Sequence, residues 1–440
     1  MNWHKLISDR RLGLEEFHDS GVQMRSDFQR DYDRMIFSSP FRRMQNKTQV
    51  FPLPGSVFVH NRLTHSLEVS SVGRSLSREV IHRMAQRGLP SKDKEVLENI
   101  PDIVATACLC HDLGNPPFGH SGEKTISTWF SEGPGKILEK DLNPQQWTDF
   151  INFEGNANSF RLLAHQFVGR RPGGFAMTYS TLGTLVKYPW TSQFAGEKGK
   201  FGFFESEEPL YRKVAEWLEI PEISPGIFAR HPLVYLMEAA DDICYQIMDI
   251  EDAHRLSILS TAEATDYLLN FFSEERKDKL KRGMGYLEDP NEKVGYLRSN
   301  VIGILVDTCA DAFVDNLDPI MEGQKTSPLV ELIPERPKNA YKTCSEMAFT
   351  RIYCAPYVVD VDLAGSRIIT YLLNVLMDAV LHPEKTYNQL LLTKMPKQYD
   401  INSPGLYGKI QSVLDHISGM TDVYALDLFR KLNGHSLPAV

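Results

Sequence analysis

Apolar residues recur along this chain at three- and four-residue steps far more often than at alternate positions. Leu67, Val69, Val72, Leu76, Val80, Ile81 and Met84 form one such row. Leu233, Leu236, Met237, Ala240, Cys244 and Ile247 form another. Rows of this period are the buried faces of amphipathic helices. Start signals agree: Ser91-Lys92-Asp93 with Glu95 reads as an N-terminus, and Pro101-Asp102 opens the apolar run 103–110. Strand-like patterning is scarce. Its one example, near residues 50–60, is interrupted by Pro52, Pro54 and Gly55 and reads as a short hairpin. The pattern predicts an all-α fold with one small β-hairpin. Stretches 131–150, 189–209 and 317–342 read as irregular, and 274–299 as a solvated helix and loop. No repeat or low-complexity tract interrupts the chain. The expectation is therefore a single helical unit over 1–440, with a core over 60–255 and a C-terminal helical extension over 256–440.

Length changes this picture little. At roughly 150 residues per domain the 440 residues would make three domains, but no convincing linker separates them. The six cysteines are too few for a disulfide scaffold, and Cys108, Cys110 and Cys244 lie in apolar helical sequence, so they read as reduced core thiols. The N-terminus has no apolar signal segment, and unbroken apolar runs fall short of the ~18 residues that span a bilayer. A cytoplasmic protein with no membrane partner is expected. The net charge of −9 argues against a general nucleic-acid coat protein. Its distribution is uneven: residues 1–100 hold 16 Lys and Arg, twelve of them Arg, against 12 Asp and Glu, while the remainder carries a net −13. Either a local anion site or a set of solvated helix faces would account for this, and composition does not choose.

The chemistry concentrates in three segments. His111-Asp112-Leu113-Gly114-Asn115-Pro116-Pro117-Phe118-Gly119-His120-Ser121-Gly122-Glu123 follows an apolar helix directly and becomes a Gly/Pro loop. Adjacent imidazole and carboxylate at a helix end form a donor set suited to Mn, Fe, Ni, Zn or Mg. A second segment, Asn61-Arg62-Leu63-Thr64-His65, starts an amphipathic helix with Arg62 one turn before His65. On its own His65 reads first as a core or capping histidine, while a guanidinium on the same face suits a phosphate. The third, Glu238-Ala239-Ala240-Asp241-Asp242-Ile243-Cys244-Tyr245, puts the adjacent acids Asp241 and Asp242 inside an apolar helix, where unpaired charge is costly. Asp241, Tyr245 and Asp249 follow at four-residue steps as one stripe.

Together, His65, His111-Asp112 and Asp241 resemble the H…HD…D pattern of the HD-domain metal-dependent phosphohydrolases. Phe153-Glu154-Gly155-Asn156-Ala157, Lys187-Tyr188-Pro189, Lys200-Phe201-Gly202-Phe203-Phe204 and Ser418-Gly419-Met420-Thr421-Asp422 extend the likeness across nearly the whole chain. Within that superfamily the sequence is most similar to the bacterial dGTPase-like deoxynucleoside triphosphate triphosphohydrolases. The resemblance implies an HD-domain core over 60–255 in which His65, His111, Asp112 and Asp241 hold one divalent metal ion per subunit. Mn or Mg comes first, with Fe, Ni, Zn or Co also suited. It implies His120 as the catalytic proton-transfer residue and Glu123 as its acidic partner. It implies phosphate contacts from Arg62, Lys187, Tyr188 and Lys200, a sugar contact from Gln49, and a deoxyribose-reading pair, Tyr245 and Asp249. Asn115 stands where mammalian relatives carry a histidine, which favours the bacterial branch.

The implied reaction converts a dNTP to deoxynucleoside and inorganic triphosphate by water attack at the α-phosphate. The competing readings are 5′-nucleotidase or cyclic-nucleotide phosphodiesterase chemistry, and a non-enzymatic nucleotide sensor or single-stranded nucleic-acid binder. The resemblance also implies homo-oligomers, hexamers among them, and a dNTP effector site; single-stranded DNA is a partner the sequence does not indicate. Base preference and native metal are unreadable. His60, His82, His254 and His416 read as surface or capping residues, and Phe201-Gly202-Phe203-Phe204 as packing.

Overall fold

A computed structural model describes residues 1–16, 24–51, 59–88, 91–324 and 326–436. Among these, 22 α-helices account for the fold, and the one sheet pairs Glu222–Ser224 with Ile227–Phe228 antiparallel. The all-α expectation therefore holds. The sequence did not foresee this sheet, a three-residue and a two-residue strand joined through Gly226 at φ +79°. The hairpin expected near 50–60 falls largely on residues 52–58, which lie outside the described residues; its flanks meet as an isolated antiparallel bridge between Thr48 and Asn61.

Two apolar cores organise the molecule. In the first, the helix Ile100–Cys110 is wrapped on all sides, every residue but Asp102 being buried. The helix Arg62–Gln86 crosses it closely because Gly73 has no side chain: a Cβ there would sit 2.8 Å from Cys108 Sγ and 3.1 Å from Val104 Cγ1. Val234–Arg255 packs against both of these helices, and Pro290–Asp315 packs against Arg62–Gln86 and Val234–Arg255. The buried cysteines Cys108, Cys110 and Cys244 belong to this core, as expected. Leu67, included in the apolar row, is instead 40% exposed; the buried stripe of its helix runs through His65, Val69, Val72, Leu76 and Val80.

The second core joins distant parts of the chain. Ile126, Trp129 and Phe130 of the helix Gly119–Ser131 meet Phe150, Phe153, Phe201 and Phe204, and the helices Pro356–Leu381, Leu406–Ser418 and Asp422–Leu432 close over them. Phe201, Phe203 and Phe204 are fully buried, so the Phe-rich motif is packing. Pro356–Leu381 is by length and composition apolar enough to cross a membrane, yet half of its most apolar window is buried inside this core. Counting unbroken runs overlooked it because Asp360, Asp362 and Arg367 interrupt the sequence. Parts of the stretches read as irregular are also helical. Pro144–Ile151 starts with a reciprocal cap between Asn143 and Gln146 and Pro at its first position, and Glu335–Met347 follows Pro334.

Because the neighbours of Gly73 are side chains of a fully packed helix, Gly73→Val is expected to destabilise the fold by about 1–3 kcal/mol. A lowered urea midpoint at unchanged slope would register it; an unchanged midpoint would show that the crossing is looser than described.

Candidate active site

Three helices deliver the charged residues of the three sequence segments to one point. Asn61 caps Arg62–Gln86, its Oδ1 accepting from the Thr64 N–H at 2.9 Å, and so fixes the helix start where Arg62 and His65 stand. His111 and Asp112 leave the end of Ile100–Cys110, and Asp241 projects from the middle of Val234–Arg255. His65 Nε2 lies 3.1 Å from Asp241 Oδ1, and His111 Nε2 lies 3.5 Å from that oxygen and 3.6 Å from Asp112 Oδ2. His65, His111 and Asp241 each offer one donor atom within 4.8 Å of the others.

These residues fit a metal by an independent sign. His111 Nδ1–H donates to the Cys108 carbonyl at 2.7 Å, which turns the Nε2 lone pair inward, and that Nε2 is buried without a hydrogen-bond partner. Orphaned buried polar atoms are rare and ask for a ligand. Electrostatics agree. Burial works to raise Asp112, but Arg62 and the two histidines hold it down to about 2. Against burial, Asp112 and Asp241 push His111 up to about 9. The same field that favours a proton on His111 favours a divalent cation.

Around this cluster runs a cleft of about 270 Å³. It is lined by every residue expected at the site except Asp249: Gln49, Arg62, His65, His111, Asp112, His120, Glu123, Lys187, Tyr188, Lys200, Asp241 and Tyr245. Arg62 is buried and donates from Nη1 to Asp112 Oδ2 at 2.6 Å; its Nε and the Gln49 Oε1 are buried and unpartnered. His120 opens to solvent at the rim, and its Nδ1 lies 3.0 Å from Glu123 Oε2. That hydrogen bond and the carboxylate charge raise the His120 pKa. Burial would raise Glu123, but His120 and Lys200 outweigh it and lower the carboxyl below its ordinary value, while its other oxygen accepts from the Gly155 N–H at 2.8 Å.

The lysines are held by acids that received no role in the sequence. Lys200 Nζ sits 2.6 Å from Glu154 Oε2, and Lys187 Nζ sits 3.3 Å from Glu238 Oε1, while Glu238 Oε2 lies 2.9 Å from Arg230 Nη1. Glu154 and Glu238 stand in motifs that carried the resemblance, so the signal was present without its meaning. Asn115 also contributes, donating from Nδ2 to Asp112 Oδ1 at 2.5 Å, and Asn156 and Asp242 complete the lining. Asp249 lies one turn beyond Tyr245, buried, accepting from the Tyr353 hydroxyl at 2.7 Å. Tyr353 follows a π-helical turn at Ala348–Ile352 and had no sequence signal.

Two of the histidines read as surface or capping residues are not. His60 is buried between Asp252 at 2.9 Å and Glu68 at 3.1 Å, which against the effect of burial push it up to about 10. His416 is buried, and burial pushes it down to about 4. Asp252 lies 192 residues from His60 in the sequence, where spacing carries no information.

Comparison with known proteins agrees with the geometry. Residues 62–146 match the HD domain family and 333–431 the phosphohydrolase-associated domain. A deoxyguanosinetriphosphate triphosphohydrolase-like protein of Pseudomonas aeruginosa is 37% identical over the whole of both chains. A protein of the same description from Synechocystis is 37% identical over 99% of this chain and all of its own. A deoxyguanosinetriphosphate triphosphohydrolase of Yersinia enterocolitica is 30% identical over 97% of this chain and 98% of its own. With likeness running the full length of both partners, the chain belongs to the deoxyguanosinetriphosphate triphosphohydrolase-like family of HD-domain, metal-dependent phosphohydrolases.

Proposed function

We propose that the protein hydrolyses deoxynucleoside triphosphates to deoxynucleoside and inorganic triphosphate. One observation carries the reading: a single cleft joins the His65, His111, Asp112 and Asp241 quartet to the His120–Glu123 pair, beside the cations Arg62, Lys187 and Lys200. We assign the quartet as ligands of one divalent ion, Mn or Mg by its mixed nitrogen and oxygen donors. When bound, such an ion supplies Lewis acidity at the phosphate and a water of lowered pKa.

The chain's own residues do the rest. Arg62, Lys187 and Lys200 offset the polyphosphate charge, and charge that is already oriented costs little reorganisation as the transition state forms. His120 donates a proton to the leaving 5′-oxygen, and Glu123 fixes its tautomer and keeps it protonated. Gln49 and Tyr245 face the sugar, Tyr188 flanks the phosphates, and Asp249 takes the 3′-hydroxyl by sharing its carboxylate with Tyr353. Crowding by Tyr245 disfavours a 2′-hydroxyl. Oligomer formation and activation by a second dNTP are part of this proposal through the family alone.

Three measurements test it. Incubation with Mn²⁺ or Mg²⁺ and each dNTP, singly and mixed, should release triphosphate and deoxynucleoside; pyrophosphate with dNMP, or turnover confined to dNMP or cyclic nucleotides, would overturn the reading. His111→Ala and Asp112→Ala should each abolish both turnover and bound metal, and retained metal would refute the ligand assignment. Because the protonated His120 is the active form, rate falls as pH rises through its pKa. Glu123 raises that pKa, so Glu123→Gln should move the alkaline limb of kcat/KM to lower pH; an unmoved limb would remove His120 as the acid.

A further inference from the structure

The chain between the two pairs of reacting side chains, residues 113–118, contains Pro116 and Pro117, which have no N–H to donate. Its internal bonds are few, so its shape is set from outside. Gly114 is gripped by the helix Gly155–Ala164: its N–H donates to Ser159 Oγ at 2.9 Å, and its carbonyl accepts from Asn158 Nδ2 at 2.7 Å. The far end of the loop, which aims His120, rests on other residues.

Asp422 opens the last helix and is buried. A carboxylate in a first helical turn ordinarily complements its own helix. Here both oxygens are spent elsewhere. Oδ1 accepts from the Phe118 N–H at 3.0 Å, and Oδ2 accepts from the Thr48 N–H at 2.7 Å. Lys47, buried beside them, donates from Nζ to the Asn115 carbonyl at 2.5 Å and to the Ser418 carbonyl at 2.6 Å. The Lys47 carbonyl accepts from the Arg62 N–H at 3.2 Å, and Thr48 bridges Asn61. Phe118 itself is left-handed, at φ +63°, an uncommon conformation for a large side chain. Gly365, in the helix Pro356–Leu381, makes room for it: a Cβ there would lie 2.6 Å from Phe118 Cγ.

We propose that Asp422 and Lys47 are positioning residues, which lock the 113–118 loop and the Gln49–Arg62 side of the cleft into one register and so aim His120 at the substrate. This gives the phosphohydrolase-associated segment a role in the reaction without contact with substrate. The proposal rests on reading His111, Asp112, His120 and Glu123 as the reacting site. The geometry is suited to the task. One carboxylate ties the segment leading to Gln49 to the residue that caps the His120 helix. Gly119, the first residue of that helix, lies against Arg62, since a Cβ there would be 2.6 Å from its Nη2. A slip of the loop would therefore displace His120 and Arg62 together.

The test is Asp422→Asn in the full chain, assayed on whichever phosphate ester the parent protein hydrolyses. An amide accepts through only one atom, so one of the two N–H contacts is lost. The expected result is a fall in kcat of about tenfold to a hundredfold with KM little changed. Hydrogen exchange at the Phe118 or Thr48 amide should quicken while exchange in the Ile100–Cys110 helix and Mn²⁺ stoichiometry stay as in the parent. Unchanged kcat, unchanged exchange at both amides, or a loss of kcat that merely follows loss of metal or of global protection would overturn the proposal. Should Asp422→Asn fail to fold, Lys47→Met, which removes the ammonium and keeps an unbranched apolar stem, decides by the same readouts. The exchange and metal measurements need no substrate, so failure of the dNTP assignment and failure of this one are distinguishable.

Discussion

Three buried ionisable side chains, His65, His111 and Asp112, meet the half-buried Asp241 at a point where three apolar helices converge. Two carboxylates drawn together at the edge of an apolar core, one of them buried, need compensating positive charge. Much of the surrounding structure is arranged to supply it. Arg62 is placed by a capped helix start directly against Asp112, and the His111 ring is turned by the Cys108 carbonyl so that its free nitrogen faces the acids. The glycine-mediated crossing at Gly73 brings the two helices close enough for these side chains to meet.

The cations further out obey a related constraint. Lys187 and Lys200 are each held by a buried or nearly buried acid, Glu238 and Glu154. Paired in this way, a lysine has already given up much of its side-chain freedom, so an arriving anion finds it oriented and loses less to ordering. The arrangement also places a cluster of cations on a chain of net charge −9. The positive field is local, and acids outside the cleft hold it in place.

What could be read from the sequence depended on how far apart the cooperating residues lie. Helical period exposed the Arg62–Gln86 and Val234–Arg255 helices, and local motifs exposed His111-Asp112, His120 and Glu123. Resemblance joined these to Gln49, Lys187 and Lys200, which line the same cleft. Three kinds of feature were hidden. His60 with Asp252, and Lys47 with Ser418, are pairs that only tertiary contact creates. The Glu222–Ser224 and Ile227–Phe228 strands are too short to show alternation. Tyr353 follows a π-turn, which has no sequence period to detect.

The second core carries a consequence for the order in which the protein is made. The helix that bears His120 buries Ile126 and Phe130 against Phe150, Phe153 and residues 368–428, so its apolar face is covered only in part until that last segment has been synthesised. Contacts of such long sequence separation form late, because loop-closure entropy must be met before they contribute. The Ile100–Cys110 helix and its neighbours can collapse on nascent chain, whereas the wall holding His120 cannot. A newly made chain would thus bring His65, His111, Asp112 and Asp241 together before the helix that carries His120 is held in its final place.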